Sequence, residues 1–186
     1  MPGLAFFALA ALAAAAATAQ AAEVRPAFVA GYDTGGDEVV VVTFSSGKTD
    51  SIKANEGLYL GGGVSVINDA GNLEFLGTLA FKYQGIHASN GDLTWTRFPL
   101  DALIFYRLQS FRFGGGLTYV IHPRLKGSGE VSYIDTTFDN AAGVVLQGDY
   151  LMGRVGLGLR YTLLDYKVGG ITVKSNGLGA SFGFTF

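Results

Sequence analysis

Residues Val155-Gly-Leu-Gly-Leu-Arg-Tyr-Thr-Leu163 and Gly177-Leu-Gly-Ala-Ser-Phe-Gly-Phe-Thr-Phe186 alternate between large apolar side chains and small or polar ones. A period of two marks a β-strand whose faces meet different surroundings, because successive side chains point to opposite sides. The pattern recurs upstream. Leu73, Phe75, Leu79, Phe81 and Tyr83 oppose Glu74, Thr78, Lys82 and Gln84. Phe111, Phe113, Leu117, Tyr119 and Ile121 oppose Arg112, Gly114, Gly116 and Thr118. No helical period persists anywhere in the chain.

Composition agrees with strands. Of 186 residues, 28 are Gly, 14 Phe and 9 Tyr, and each glycine costs about 1 kcal/mol relative to alanine inside a helix. Charged residues are 15% of the chain, the opposite of a disordered composition. The net charge of −2 supplies no basic footprint for nucleic acid. The absence of cysteine removes disulfides, thiolate metal sites, a cysteine nucleophile and a lipoprotein anchor.

Eight long strands are expected at 26–34, 57–67, 73–84, 93–106, 111–122, 143–151, 154–167 and 175–186. Most reach the roughly 9–11 residues that a tilted strand needs to cross a bilayer. Segments 68–72, 107–110 and 152–153 are short connections, whereas 35–56, 85–92, 123–142 and 168–174 are longer. This alternation suits an outer-membrane barrel with short periplasmic turns and long extracellular loops. Within the first long connection, Glu38–Phe44 and Thr49–Ala54 read as a β-hairpin around Ser45-Ser-Gly-Lys48. It either projects above the membrane or folds over the barrel mouth; a ten-stranded barrel containing both arms is the rival. Pro99 lacks a ladder donor, so a bulge is expected near it.

Residues 1–22 are uncharged and pass from an apolar run into Ala19-Gln20-Ala21, the shape of an export signal; a membrane anchor is the alternative. Residues 23–186 then form the barrel domain. A soluble carrier barrel would turn its apolar face inward. The Gly-, Ser- and Thr-rich polar face and the strand-end aromatics Tyr83, Tyr106, Tyr119, Tyr161 and Phe186 favour lipid outside.

The terminal Leu178, Phe182, Phe184 and Phe186 resemble the β-signal of bacterial outer-membrane proteins. Gly156-Leu-Gly-Leu-Arg-Tyr161 with Asp165-Tyr166 is similar to the penultimate strand of the OmpA/OmpX/OmpW-like small barrels. The resemblance implies an all-β, eight-stranded antiparallel transmembrane barrel in the outer membrane of a Gram-negative cell envelope, reached through the periplasm. It also implies that the four terminal apolar residues are read by the barrel-assembly machinery. Outer-membrane lipids and lipopolysaccharide are the expected surroundings, and a monomer the expected state.

Parity places Glu74, Lys82, Arg97, Asp101, Arg112, Asp149, Arg154 and Arg160 inside. An eight-stranded interior is just wide enough to be filled by side chains, so these charges are expected to form an ion-pair network that mostly plugs the lumen. A narrow channel is the alternative, and the lumen glycines leave it space. His87-Ala-Ser89-Asn90 resembles the H-x-S-N motif of lipid A deacylase barrels, which implies an outer-leaflet lipid-modifying enzyme as a further alternative. The motif here follows the third strand, whereas that family carries it near the chain end, and Asp92 is only a sequence neighbour. His122-Pro123 reads as a strand-terminating pair. The two histidines, far apart and without cysteine, offer no metal spacing, and the glycine runs lack the residues of a phosphate loop. No cofactor is expected. The favoured reading is a non-enzymatic barrel with a structural or surface-interaction role.

Overall fold

The computed structural model describes residues 22–43, 47, 49–88 and 90–186; the expected export signal over residues 1–21, the hairpin tip except Gly47, and Ser89 lie outside the described residues. Twelve strands follow in order: β1 (Glu23–Gly35), β2 (Glu38–Thr43), β3 (Thr49–Lys53), β4 (Gly57–Ile67), β5 (Leu73–Ala88), β6 (Gly91–Arg107), β7 (Phe111–Gly127), β8 (Asp135–Thr137), β9 (Ala141–Met152), β10 (Val155–Val168), β11 (Ile171–Lys174) and β12 (Gly177–Thr185). Eight of them, β1, β4, β5, β6, β7, β9, β10 and β12, pair antiparallel in a ring. β1 closes it against β12, from Ala27 opposite Thr185 to Gly35 opposite Gly177. Closure leaves no unpaired edge in hydrocarbon, where a free amide or carbonyl is costly. β2 and β3 pair only with each other, so the ring has eight strands and not ten.

The outer wall is apolar: Leu58, Leu60, Leu79, Leu100, Ile104 and Leu117 are all exposed on it. Tyr32 and Tyr83, with Ile121 just above Tyr119 and Leu163 just above Tyr161, mark its upper limit, while Tyr106, Phe111, Phe113 and Tyr150 lie near the short turns. Leu73 and Tyr83 are separated by ten residues on one face of β5. At a rise of about 3.4 Å per residue and a tilt near 40°, this spans roughly 26 Å, close to the apolar band of outer-membrane barrels. Inside, glycine is required where strands crowd: a side-chain carbon on inward-facing Gly63 would overlap the carbonyl oxygen of Gly77 on β5.

Three strands run well past this band. β5, β6 and β7 have 16, 17 and 17 residues. Segment 85–92, expected as a long loop, is instead strand on both sides of a tight turn, with Ala88 opposite Gly91. Segment 168–174 is likewise a hairpin, with Gly169 and Gly170 at φ 54° and 83° and β11 folded back onto β10. In 123–142, β7 continues to Gly127 and then pairs with β8. The expectation that His122-Pro123 ends its strand is therefore corrected. The register shift between Thr96 and Phe98 sets the single Arg97 on β6 against His122 and Pro123 on β7, and His122 adopts φ 51°. The irregularity is close to Pro99, but the extra residue belongs to β7. It reverses the parity of that strand: Val120 faces in before it, Pro123 and Leu125 after it.

Above the upper tyrosines the rule for inside and outside inverts. Ile86, Leu93, Trp95, Leu125, Leu164 and Tyr166 point inward and are buried, joined by Ile52 and Ala54 at the end of the β2–β3 hairpin. Thr94, Lys126, Asp165 and Lys167 face water on the same stretches of strand. The hairpin thus folds into the mouth, drawn by burial of apolar side chains at about 25 cal/mol per Å².

Candidate functional site: a charged lumen beneath a capped mouth

The lumen charges form two tiers. In the lower tier, near the short turns, Arg112 bridges two carboxylates: Nη1 donates to Glu74 Oε1 at 2.5 Å and Nε to Asp149 Oδ2 at 2.6 Å. Glu74 also accepts from Arg107 and from Ser65 Oγ. Asp149 accepts from Gln147 Nε2 at 3.0 Å and Ser181 Oγ at 3.1 Å. The Arg112 guanidinium lies 4.4 Å from the centroid of Phe105. Two cations meet two carboxylates, each with further donors, as buried ions require.

In the upper tier Lys82 Nζ donates to Asp33 Oδ2 at 2.5 Å and to Asn55 Oδ1 at 3.1 Å. Arg160 Nη2 donates to Asp101 Oδ2 at 3.1 Å, and its Nε is 3.9 Å from Asp33 Oδ1. The Arg160 guanidinium sits 5.1 Å from the ring of Tyr59. Arg97 is fully buried and has no carboxylate at ion-pair distance among the described residues. Its guanidinium donates to the carbonyl oxygens of Ala54 and Glu56, the latter at 2.5 Å.

Over the upper tier sits the apolar cap. Trp95 Nε1 donates to the Ala54 carbonyl at 3.2 Å, and its ring meets Phe138 and Tyr166 edge-on at 4.9 and 5.6 Å. Ala54 N donates to Asp37 O, and Asn55 N to Gly35 O. The hairpin's descending end is therefore held by Trp95, Arg97 and Lys82 from the barrel and by the backbone at the end of β1 and just beyond it.

Seven of the eight expected lumen charges lie inside, in these tiers. Arg154 does not: it is exposed at the turn between β9 and β10, because the strand reverses there and the side chain reaches water. Asp33, Asn55, Tyr59, Trp95, Arg107 and Tyr166 complete the site and were missed. The available signal was a phase change, since apolar residues move from one parity to the other at Leu163-Leu164 and between Trp95 and Phe98. On β12, Leu178 and Phe182 are exposed on the outer wall, as is Phe186 just after it, while Phe184 packs edge-on against Phe186 at 4.9 Å.

At the tip of the β5–β6 hairpin, His87 Nδ1 lies 3.1 Å from Asp92 Oδ1, so the structure makes Asp92 a cross-strand partner of His87. Both are largely exposed. No group of three histidine or acidic side chains among the described residues could hold a metal. On the outer face, Arg124 grips Asp135 through two bonds of 2.5 and 2.8 Å. The guanidinium holds that carboxyl below the usual carboxylate range. Its stabilising effect is present at neutral pH and lost as pH falls through this lowered value. An NMR titration in micelles should give Asp135 a midpoint below that of an unpaired aspartate, returning toward it in Arg124→Gln.

No family model matches the chain, and no curated protein sequence does. Among solved structures the chain is similar to Neisserial surface protein A (NspA), with a TM-score of 0.51 and 15% identity over 90% of this chain and 100% of that one. It is also similar to Ail, the attachment invasion locus protein of Yersinia pestis, solved with the heparin analogue sucrose octasulfate: TM-score 0.50 and 14% identity, over 87% of this chain and 99% of Ail. At such identity the likeness is one of fold.

Proposed function

We propose that this chain, whose fold is that of the small outer-membrane β-barrels of Gram-negative bacteria, is exported to that membrane and acts there as a non-enzymatic monomer. Its role is structural or interactive, carried by the surface above the lipid, and its lumen does not conduct. The observation that carries this reading is the β2–β3 hairpin packed into the mouth over two tiers of ion pairs. Rigid strands that project beyond the band present short turns and exposed apolar side chains such as Tyr133 and Ile171, the kind of scaffolded loop on which binding function resides. The attachment locus name of Ail supports a surface role by likeness of fold. Conductance in planar bilayers tests it. Stable stepwise currents that vanish on changing Arg97 or Arg160 would replace this reading with a narrow channel.

The surroundings follow from the same reading: outer-membrane lipids and lipopolysaccharide against the apolar wall, and the barrel-assembly machinery during insertion. Leu178, Phe182, Phe184 and Phe186 are the residues that the machinery would read. Deleting Phe186 removes at most about 2–3 kcal/mol of apolar burial, so refolding in detergent should survive while insertion in cells falls sharply. Equal losses in both assays would reduce Phe186 to a lipid anchor.

A further inference from the structure

We propose that the upper lumen binds one small monovalent anion of the halide class, held against the Arg97 guanidinium beneath the docked hairpin. A cavity of about 40 Å³ runs through the lumen between the two tiers, with Arg97 in its lining; one water needs roughly 10–15 Å³. Six charged side chains line it: Asp33, Lys82, Arg97, Asp101, Arg112 and Arg160. Lys82 and Arg160 are matched by Asp33 and Asp101, and Arg112 by the carboxylates of the lower tier. Arg97 is left over. Among the described residues its Nη atoms meet carbonyl dipoles but no countercharge, and a full buried charge without a partner is strongly unfavourable.

The hydrogen-bonding count points the same way. Among the described residues, Arg97 Nε, Asn55 Nδ2 and Arg160 Nε are buried donors without an acceptor, and all three residues line this cavity. Asp33 Oδ1 and Asp101 Oδ1 are buried acceptors without a donor. Asp33 shares the Lys82 ammonium with Asn55 and lies beside Arg160, so these oxygens disfavour an anion at Arg160, Lys82 and Asn55 and favour water there, which directs the anion toward Arg97. A cation would meet the surplus positive charge. A halide matches it and accepts from several donors at once.

The full chain, refolded into detergent in bromide, chloride or gluconate at one ionic strength, tests the site. Crystals grown in bromide should show an anomalous peak within hydrogen-bond reach of Arg97. The thermal unfolding midpoint should be higher in chloride than in gluconate by about 3 °C. That difference should disappear in Arg97→Gln, which a general salt effect would not do. Because Arg97 also holds the hairpin, the bromide peak in crystals of the unaltered protein is the second measurement, which needs no variant. No bromide peak at Arg97, or equal wild-type midpoints in chloride and gluconate, would mean that water alone fills the cavity and would overturn the site.

Discussion

Replacing Arg112 with methionine is expected to lower the unfolding free energy by about 3–5 kcal/mol, the cost of removing one partner from a buried ion pair. Arg112 is the only cation bonded to Asp149 among the described residues. Without it that carboxylate keeps only Gln147 and Ser181 as neutral donors. Glu74 suffers less, since Arg107 and Ser65 remain. Restoring neutrality with Asp149→Asn in the Arg112→Met background should recover a large part of the loss, because an isosteric neutral pair no longer strands a charge. Urea unfolding in detergent micelles, followed by Trp95 emission, reads both effects. A loss below about 1 kcal/mol would show that water in the lumen solvates Asp149 well enough to make the pair dispensable.

Ile52→Asp is expected to release the hairpin from the mouth while leaving the ring intact. Ile52 is fully buried in the cap, and placing a carboxylate there without a partner costs several kcal/mol. β2 and β3 share no ladder with the barrel, so what opposes that cost is the docking of the cap alone: a few apolar side chains, the bonds from Trp95 and Arg97, and the backbone contacts at Ala54 and Asn55. Trp95 is the one tryptophan of the chain. Its emission should shift to the red, and proteases should cleave between residues 38 and 53, while heat-modifiable migration on a gel persists. Unchanged emission would mean that the hairpin tolerates the charge in place and that the cap is wetter than its packing implies.

The ring was legible because lipid imposes a strict rule on strands that cross it. Every outward side chain from Leu157 to Leu163 must be apolar, and the inward ones are thereby identified by parity alone. That rule reaches Glu74, Lys82, Asp101 and Arg160 without reference to their partners. The partners themselves were not legible. Lys82 and Asp33 are 49 residues apart, and Arg160 and Asp101 are 59 apart, brought together only by barrel closure. Segment 85–92 reads as loop because its outward residues His87 and Asp92 are polar, yet polarity outside is what water asks of a strand that has left the membrane. The same stretch carries Ile86 and Leu93 inward, a second strand signal in the opposite phase. The destination of the hairpin stayed open for a related reason: Val40, Val42 and Ile52 suit any apolar surface, and the surface that covers them is assembled from five other strands.

The inversion of inside and outside along single strands has a mechanical consequence. Below the upper tyrosines the wall is greasy; above them it presents Thr94, Arg124, Lys126 and Lys167. The barrel therefore has one apolar thickness of roughly 26 Å and no spare surface above it. A helix can answer a thicker bilayer by becoming more upright, but this ring holds its tilt through its register and cannot slide upward without drawing those charges into hydrocarbon. Hydrophobic mismatch must then be met by the lipid, which thins against the wall at a cost of fractions of a kcal/mol per Å. The molecule acts as a fixed gauge of membrane thickness, and neighbouring barrels of equal height would share one thinned annulus.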